Sequence, residues 1–250
     1  MKQSTRKRSI ALCIAAAIVC MTLGGIYFYA TGQRFTATMS PHREGEAVLL
    51  LIIDPGHGGA DGGAISLTGV HESEINLEIA LRLEALAALY GIPTQMTRRT
   101  ADLNYPEGAT TIRAKKVADT KARVELINAA ENAVVISIHQ NTYDGAGVSG
   151  PQVLFARTDA SEEFAVNIQS ALTHALGLDR PRIPVKVPRG VYIMNHIDTP
   201  AILVECGFLS NPAEEALLRT ADYQLRLAAA MLAGYIQSID LLMARYFGNT

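Results

Sequence analysis

The chain has 250 residues, 49% of them hydrophobic, with 22 Lys and Arg against 24 Asp and Glu. That length suits one globular domain plus an accessory segment. The near-neutral balance, with no basic run outside the N-terminus, excludes strong attraction to nucleic-acid phosphates.

The N-terminus differs in kind from the rest. Lys2, Arg6, Lys7 and Arg8 precede an uncharged stretch from Ser9 to Gly32 rich in Ile, Leu, Val and Ala. About 20 such residues, at about 1.5 Å each, span a hydrocarbon core of about 30 Å, and the positive flank places the N-terminus in the cytoplasm. Residues 1–32 are therefore expected to be a membrane anchor or, because Ala30-Thr31-Gly32 resembles a cleavage site, a signal peptide. Either one exports the remainder of the chain. Residues 33–46 are polar, carry Pro41 and Gly45, and read as a linker to a domain over 47–250. Cys13 and Cys20 lie in the apolar stretch and Cys206 stands alone, so the exported domain has no internal disulfide and must rely on a packed core.

Val48 to Ile53 is an apolar run ended by Asp54-Pro55-Gly56, the pattern of a buried strand entering a tight turn. Ile75, Ile79, Leu83 and Leu86 recur at helical spacing until Gly91 and Pro93 stop them. A short strand near Thr94 to Thr97, a helix from about Ile112 to Ala130 and a buried strand from Ala133 to Ile138 come next. Gln152 to Phe155 reads as a strand, Ser161 to Leu176 as a helix and Ala201 to Val204 as a further apolar strand. Asn211-Pro212 is a helix-start pair, and an Ala/Leu-rich helix is expected over Tyr223 to Tyr246. This alternation predicts a three-layer α/β domain, with helices on both faces of a largely parallel, mixed sheet.

His57, His139 and Glu205 share one architectural position, each at or just after the end of a buried strand, where open α/β sheets bind ligands. Two His and one carboxylate form the ligand set of a catalytic zinc with an open fourth position, and a further carboxylate nearby moves protons. Glu72 stands at the head of a helix, where the dipole favours a carboxylate even without a metal, and His71 and Glu74 are rival ligands beside it. Asn141, two residues after His139, is expected to project to the same side as a substrate contact. Glu205 comes after four apolar residues, so its burial is costly unless it is paired, metal-bound or poised as a base. The glycines around His57 do not match a phosphate loop. Cys206 reads as a small buried hydrophobe, with a thiolate beside zinc as the alternative. His42 lies in the linker, and His174 and His196 lack an acidic partner at short range, so all three stay outside the site.

Asp54-Pro55-Gly56-His57-Gly58-Gly59, Ser137-Ile138-His139-Gln140-Asn141 and Glu205-Cys206-Gly207-Phe208-Leu209-Ser210-Asn211 together resemble, in order and spacing, the amidase-3 family of zinc-dependent N-acetylmuramoyl-L-alanine amidases. These enzymes cleave the bond between N-acetylmuramic acid and the stem peptide of peptidoglycan. The resemblance runs from about Val48 to the final helix and implies an α/β fold. Its Glu-x-x-x-Asn-Leu pattern, here Glu72 with Asn76-Leu77, favours Glu72 over His71 and Glu74. It implies His57, Glu72 and His139 as zinc ligands and Glu205 as the catalytic acid/base. Met96-Thr97-Arg98, Arg123 to Asn128 and Arg189 to Met194 look like the germination-specific, spore-cortex, CwlD-type branch, whose activity precedes muramic δ-lactam formation. His71 and Cys206 depart from the usual pattern beside functional positions.

Two rival functions share these residues: a zinc peptidase cutting within the stem peptide, and a non-catalytic wall-binding or regulatory module. The second would show a lost ligand or acid/base, and all four positions are present. About ten residues separate Asn141 from the strand at Gln152, too few for a helix that plugs the site. An open groove is therefore expected, with any restraint or activation coming from a separate protein partner, export timing or incomplete metal loading.

Overall fold

The computed structural model describes residues 48–144 and 147–248. The expected membrane or signal segment and the linker lie outside the described residues. Six strands, β1 (Leu50–Pro55), β2 (Thr94–Met96), β3 (Ala133–Asn141), β4 (Gln152–Phe155), β5 (Val185–Lys186) and β6 (Ala201–Phe208), form one sheet in the order β2-β1-β3-β6-β4-β5. The pairings of β1 with β2, β1 with β3, β3 with β6 and β4 with β5 are parallel; β4 runs antiparallel to β6. The helices are α1 (Glu72–Leu89), α2 (Ile112–Asn128), α3 (Ser161–Leu176), α4 (Tyr192–Asn195), α5 (Pro212–Leu218), α6 (Ala221–Gln237) and α7 (Ile239–Phe247).

Strand alternation divides the core in two. Leu51, Ile53, Val134, Ile136, Ile138, Ile202 and Val204 face α1, α3 and α6, meeting Ile79, Leu83, Phe164, Ile168, Leu227 and Met231. Ile52, Val135, Ala201 and Leu203 face the opposite way, toward Ile127 of α2 and Met194 of α4. The helices therefore lie on both faces of a mixed, mostly parallel sheet, as the alternation of elements predicts.

Local chemistry fixes several boundaries. Thr111 and Thr220 cap α2 and α6 by accepting Ala114 N–H and Tyr223 N–H, and Asn211 accepts from Ala213 and Glu214 ahead of Pro212. The single helix expected over Tyr223 to Tyr246 is instead two, bent by 48° at Ser238. The buried Ser238 hydroxyl lies 2.8 Å from Gly234 O and 3.0 Å from Asn167 Nδ2, and hydroxyl bonding to the backbone four residues earlier bends helices. Among the described residues no single helix is long and apolar enough to cross a membrane. Two short elements, β5 and α4, lack a periodic signal and are additions to the predicted set.

Candidate metal centre and active site

The turn after β1 carries His57 in the left-handed region, φ 59°. Its ring Nδ1–H donates to Asp61 Oδ2 at 2.9 Å, and Lys116 Nζ holds the same oxygen at 2.9 Å. That bond leaves Nε2 facing Glu72 Oε2 at 3.5 Å. Glu72 is the first residue of α1 and only 3% exposed. Its Oε1 meets His139 Nδ1 at 2.9 Å and accepts Gln140 N–H at 3.0 Å, while Oε2 accepts Ala64 N–H at 2.9 Å. The two imidazole rings stand edge to face, centroids 5.0 Å apart.

Glu205 is the register partner of His139 on the neighbouring parallel strand, so both side chains leave the sheet on the same face. That face is the one covered by α2 and α4. A cavity of about 310 Å³ opens there, reaching His57, His139 and Glu205 and walled by Lys116 and Thr120 of α2 and by Tyr192. The side chains of His57 and His139 keep 19% and 17% of their surface exposed, so solvent reaches the cluster.

The electrostatics separate the two carboxylates. Burial pushes Glu205 up to about 7, with the charge of Glu72 acting the same way and His139 opposing both. Glu205 Oε2 is buried without a hydrogen-bond partner among the described residues. Burial would raise Glu72 too, but the hydrogen bond and charge of His139, the charge of His57 and Ala64 N–H hold it at about 2. Burial opposes a charge on His139, yet Glu72 prevails and raises its pKa, whereas burial lowers that of His57.

This donor set fits a metal. One ligand atom from each of His57, Glu72 and His139 lies within 4.8 Å of the others, and two imidazoles with a carboxylate suit zinc. The neighbouring glycines make the space. A Cβ on Gly56 would fall 2.3 Å from His139 Nε2, and one on Gly63 would fall 2.6 Å from Glu72 Oε2.

A family model described as N-acetylmuramoyl-L-alanine amidase matches residues 51–237. The chain belongs to that amidase family. The germination-specific N-acetylmuramoyl-L-alanine amidase of Bacillus subtilis is 34% identical over 189 residues, which are 75% of this chain and 78% of that protein. AmiA of Escherichia coli is 26% identical over 284 residues, covering 94% and 92%. Among solved structures, the CwlD amidase from Clostridioides difficile in complex with the GerS lipoprotein matches with a TM-score of 0.73 at 30% identity, over 77% of this chain and 99% of that one. The protein is an enzyme, an N-acetylmuramoyl-L-alanine amidase acting on peptidoglycan.

In this amidase the structure brings His57, Glu72, His139 and Glu205 to one rim. Of the rivals at the head of α1, Glu74 is exposed and His71 occupies the N-cap position, its ring against Gly62. Asn141 ends β3 beyond a register shift; its Oδ1 accepts Thr142 N–H at 2.8 Å, and it is not among the residues lining the cavity. Cys206 faces the opposite core with its thiol pushed well above its usual range by burial, so the apolar reading of this residue holds. Asp61 and Lys116 were invisible to pattern reading, since an acid four residues after His57 in an irregular loop has no period to announce it.

Proposed function

We propose that this amidase is zinc-dependent and acts on spore-cortex peptidoglycan, hydrolysing the muramoyl-L-alanine amide on the way to muramic δ-lactam. The observation that carries the zinc reading is the convergence of His57, Glu72 and His139 within 4.8 Å, with Glu205 beside His139 in register. The 34% identity to a germination-specific amidase supports the cortex assignment.

The scissile amide is planar and resonance-stabilised, so its hydrolysis needs an activated water and stabilisation of the oxyanion that develops. His57, Glu72 and His139 would hold zinc, which when bound supplies Lewis acidity for both needs. Asp61 fixes the His57 tautomer by accepting at Nδ1, and Gln140 N–H and Ala64 N–H hold the two oxygens of Glu72. Glu205 is the proton carrier. A carboxyl with a pKa near 7 takes a proton from the attacking water and returns it to the leaving amine nitrogen of alanine. Asn141 is retained as a proposed substrate contact at the end of β3.

The N-terminal segment, as an anchor or cleaved signal, would deliver the enzyme outside the cytoplasm, to the cell wall or cortex. Because the similar CwlD amidase was solved with a lipoprotein, a protein partner that activates this enzyme belongs to the same proposal. The deciding experiment combines metal analysis with product analysis on purified peptidoglycan. About one zinc per chain, lost in His57→Ala, and new alanine amines are expected. New internal stem-peptide amines would instead establish a peptidase, and a wild-type chain that binds no zinc would defeat the metal reading.

A further inference from the structure

Helix α2 reaches His57 from two directions. Arg123, 4% exposed, donates through Nη2 to His57 O at 2.6 Å and through Nη1 to Pro55 O at 2.7 Å and Asp54 Oδ1 at 2.8 Å. Its Nε is held by both oxygens of Asp119, at 3.1 and 3.0 Å. Two turns earlier, Lys116 holds Asp61, the acceptor of His57 Nδ1–H. From the other side Arg98, also buried, donates Nε to Pro55 O at 2.9 Å and Nη2 to Gly56 O at 3.0 Å and Ser73 O at 2.8 Å. Three consecutive carbonyls, of Pro55, Gly56 and His57, thus accept from guanidinium groups.

This matters because His57 is a non-glycine residue at φ 59°, a conformation that persists only where the surroundings over-determine it. Relaxation of that backbone would turn Nε2 away from Glu72. The helix providing the grip is itself lightly attached. Of the 17 residues of α2, only Arg123 and Ile127 are buried. An element with so few buried side chains belongs to the less stable end of a fold, and the hydrogen bonds of Arg123 form a main part of its anchorage.

We propose that Arg123 is a positioning residue for the metal: it locks His57 in the left-handed conformation, and through that grip the seating of α2 and metal affinity form one coupled equilibrium. The inference rests on the zinc reading above. Coupling of this kind is reciprocal, so zinc binding must seat α2 as firmly as a seated α2 favours zinc.

The test compares the full-length wild type with Arg123→Lys. Lysine keeps a positive charge toward Asp54 but has no planar fork to span several acceptors at once. Three measurements are made: zinc affinity by competition with a chromophoric chelator, the urea midpoint of the metal-free form, and amide exchange over residues 113–127 with and without zinc. Zinc affinity should fall roughly 10- to 100-fold in Arg123→Lys, the range for groups supporting a metal ligand. Zinc should slow exchange across α2 in the wild type, more than across α6 on the other face of the sheet, and do so less in the variant. A lower urea midpoint with unchanged zinc affinity would mean a purely structural role and overturn the proposal. If the variant does not fold, wild-type exchange decides, and zinc that leaves α2 no better protected than α6 refutes the coupling. A wild type that binds no zinc removes the metal reading and this inference together, whereas equal zinc affinity in both proteins removes the inference alone.

Discussion

Glu205→Gln should make the metal-free enzyme more stable while removing most of its activity. In the fold the Glu205 carboxyl is raised from 4.5 to about 7, chiefly by burial. A group whose pKa is raised on folding contributes stability that is complete below the unfolded value and is lost as pH rises through the folded one. The window is therefore pH 4.5 to 7. At about 1.4 kcal/mol per pH unit, the shift of about 2.5 units makes the buried group cost about 3 kcal/mol at pH 8, where it is ionised, and about 1 kcal/mol at pH 5, where it is protonated in the fold but begins to ionise in the unfolded chain. Gln has the same shape and no charge, so it avoids that cost. Its amide brings a new donor beside an oxygen position that has no partner, which returns about 1 kcal/mol or more. A net gain of about 1 to 2 kcal/mol at pH 8, shrinking to nothing or reversing near pH 5, is expected from urea unfolding in the presence of a chelator. Turnover of the zinc-loaded variant should drop by about 10² to 10⁴, the range for a positioned acid/base. A stability difference that does not change with pH would refute the burial reasoning, and near-normal turnover would remove Glu205 from the chemistry.

Gly56→Ala should retain its far-UV circular dichroism yet lose zinc, because the new Cβ falls 2.3 Å from His139 Nε2; a normal zinc content would contradict this. Asp54 sits at 0% exposure, and although burial raises it, Arg123, Ser137 and Thr97 hold it at about 2, below its usual 3.8. A depressed pKa gives stability that is present above the unfolded value and lost as pH falls through the folded one, so this group should account for about 2 kcal/mol lost between pH 4 and 2. Asp54→Asn should cost about 1 to 3 kcal/mol at neutral pH, since Arg123 loses one charged acceptor while keeping Asp119, with the gap to wild type narrowing below pH 4 in unfolding measurements. Membrane fractionation of the full-length protein should give an integral species of full mass; a soluble form beginning near Gln33 would show that the N-terminal segment is cleaved.

The sheet was legible because its strands are short apolar runs bounded by turn residues, and the helices because their apolar residues recur at fixed spacing. Gln152–Phe155 and Ser161–Leu176 agree with the structure at both ends. Strands β3 and β6 run past their apolar cores, to Asn141 and Phe208, since backbone pairing continues through the polar residues that carry the site. The break at Ser238 was not legible: it depends on a hydroxyl bonding to Gly234 and Asn167, and one serine in an Ala/Leu-rich run reads as tolerated. His57, His139 and Glu205 stood out by their shared place after apolar strands. Of their supports, Arg98 and Arg123 were marked by the spore-cortex motifs without a role and Asp61 was not marked at all, because they act through backbone carbonyls and a ring nitrogen that only the folded turn presents.

That difference in support explains how one rim can hold two carboxylates with opposite behaviour. Glu72 sits at the start of α1, where the helix N-terminus favours negative charge, and receives two backbone N–H groups and an imidazole. Held at about 2, it is ionised at neutral pH, as a metal ligand must be. Glu205 lies mid-strand on β6, between Val204 and Cys206, with one oxygen unpartnered. Among the described residues His139 alone favours its charge, and the negative field of Glu72 works against it. Carboxyls whose environments drive their pKa values apart mark the division between a fixed charge and a proton carrier. Exchanging the two environments would therefore disable both roles: an N–H donor aimed at Glu205 Oε2 would lower its pKa and weaken it as a base. An added donor there should move the alkaline-favoured limb of the pH–rate profile to lower pH and reduce the maximum rate, and a profile unmoved by that donor would mean that this limb belongs to another group.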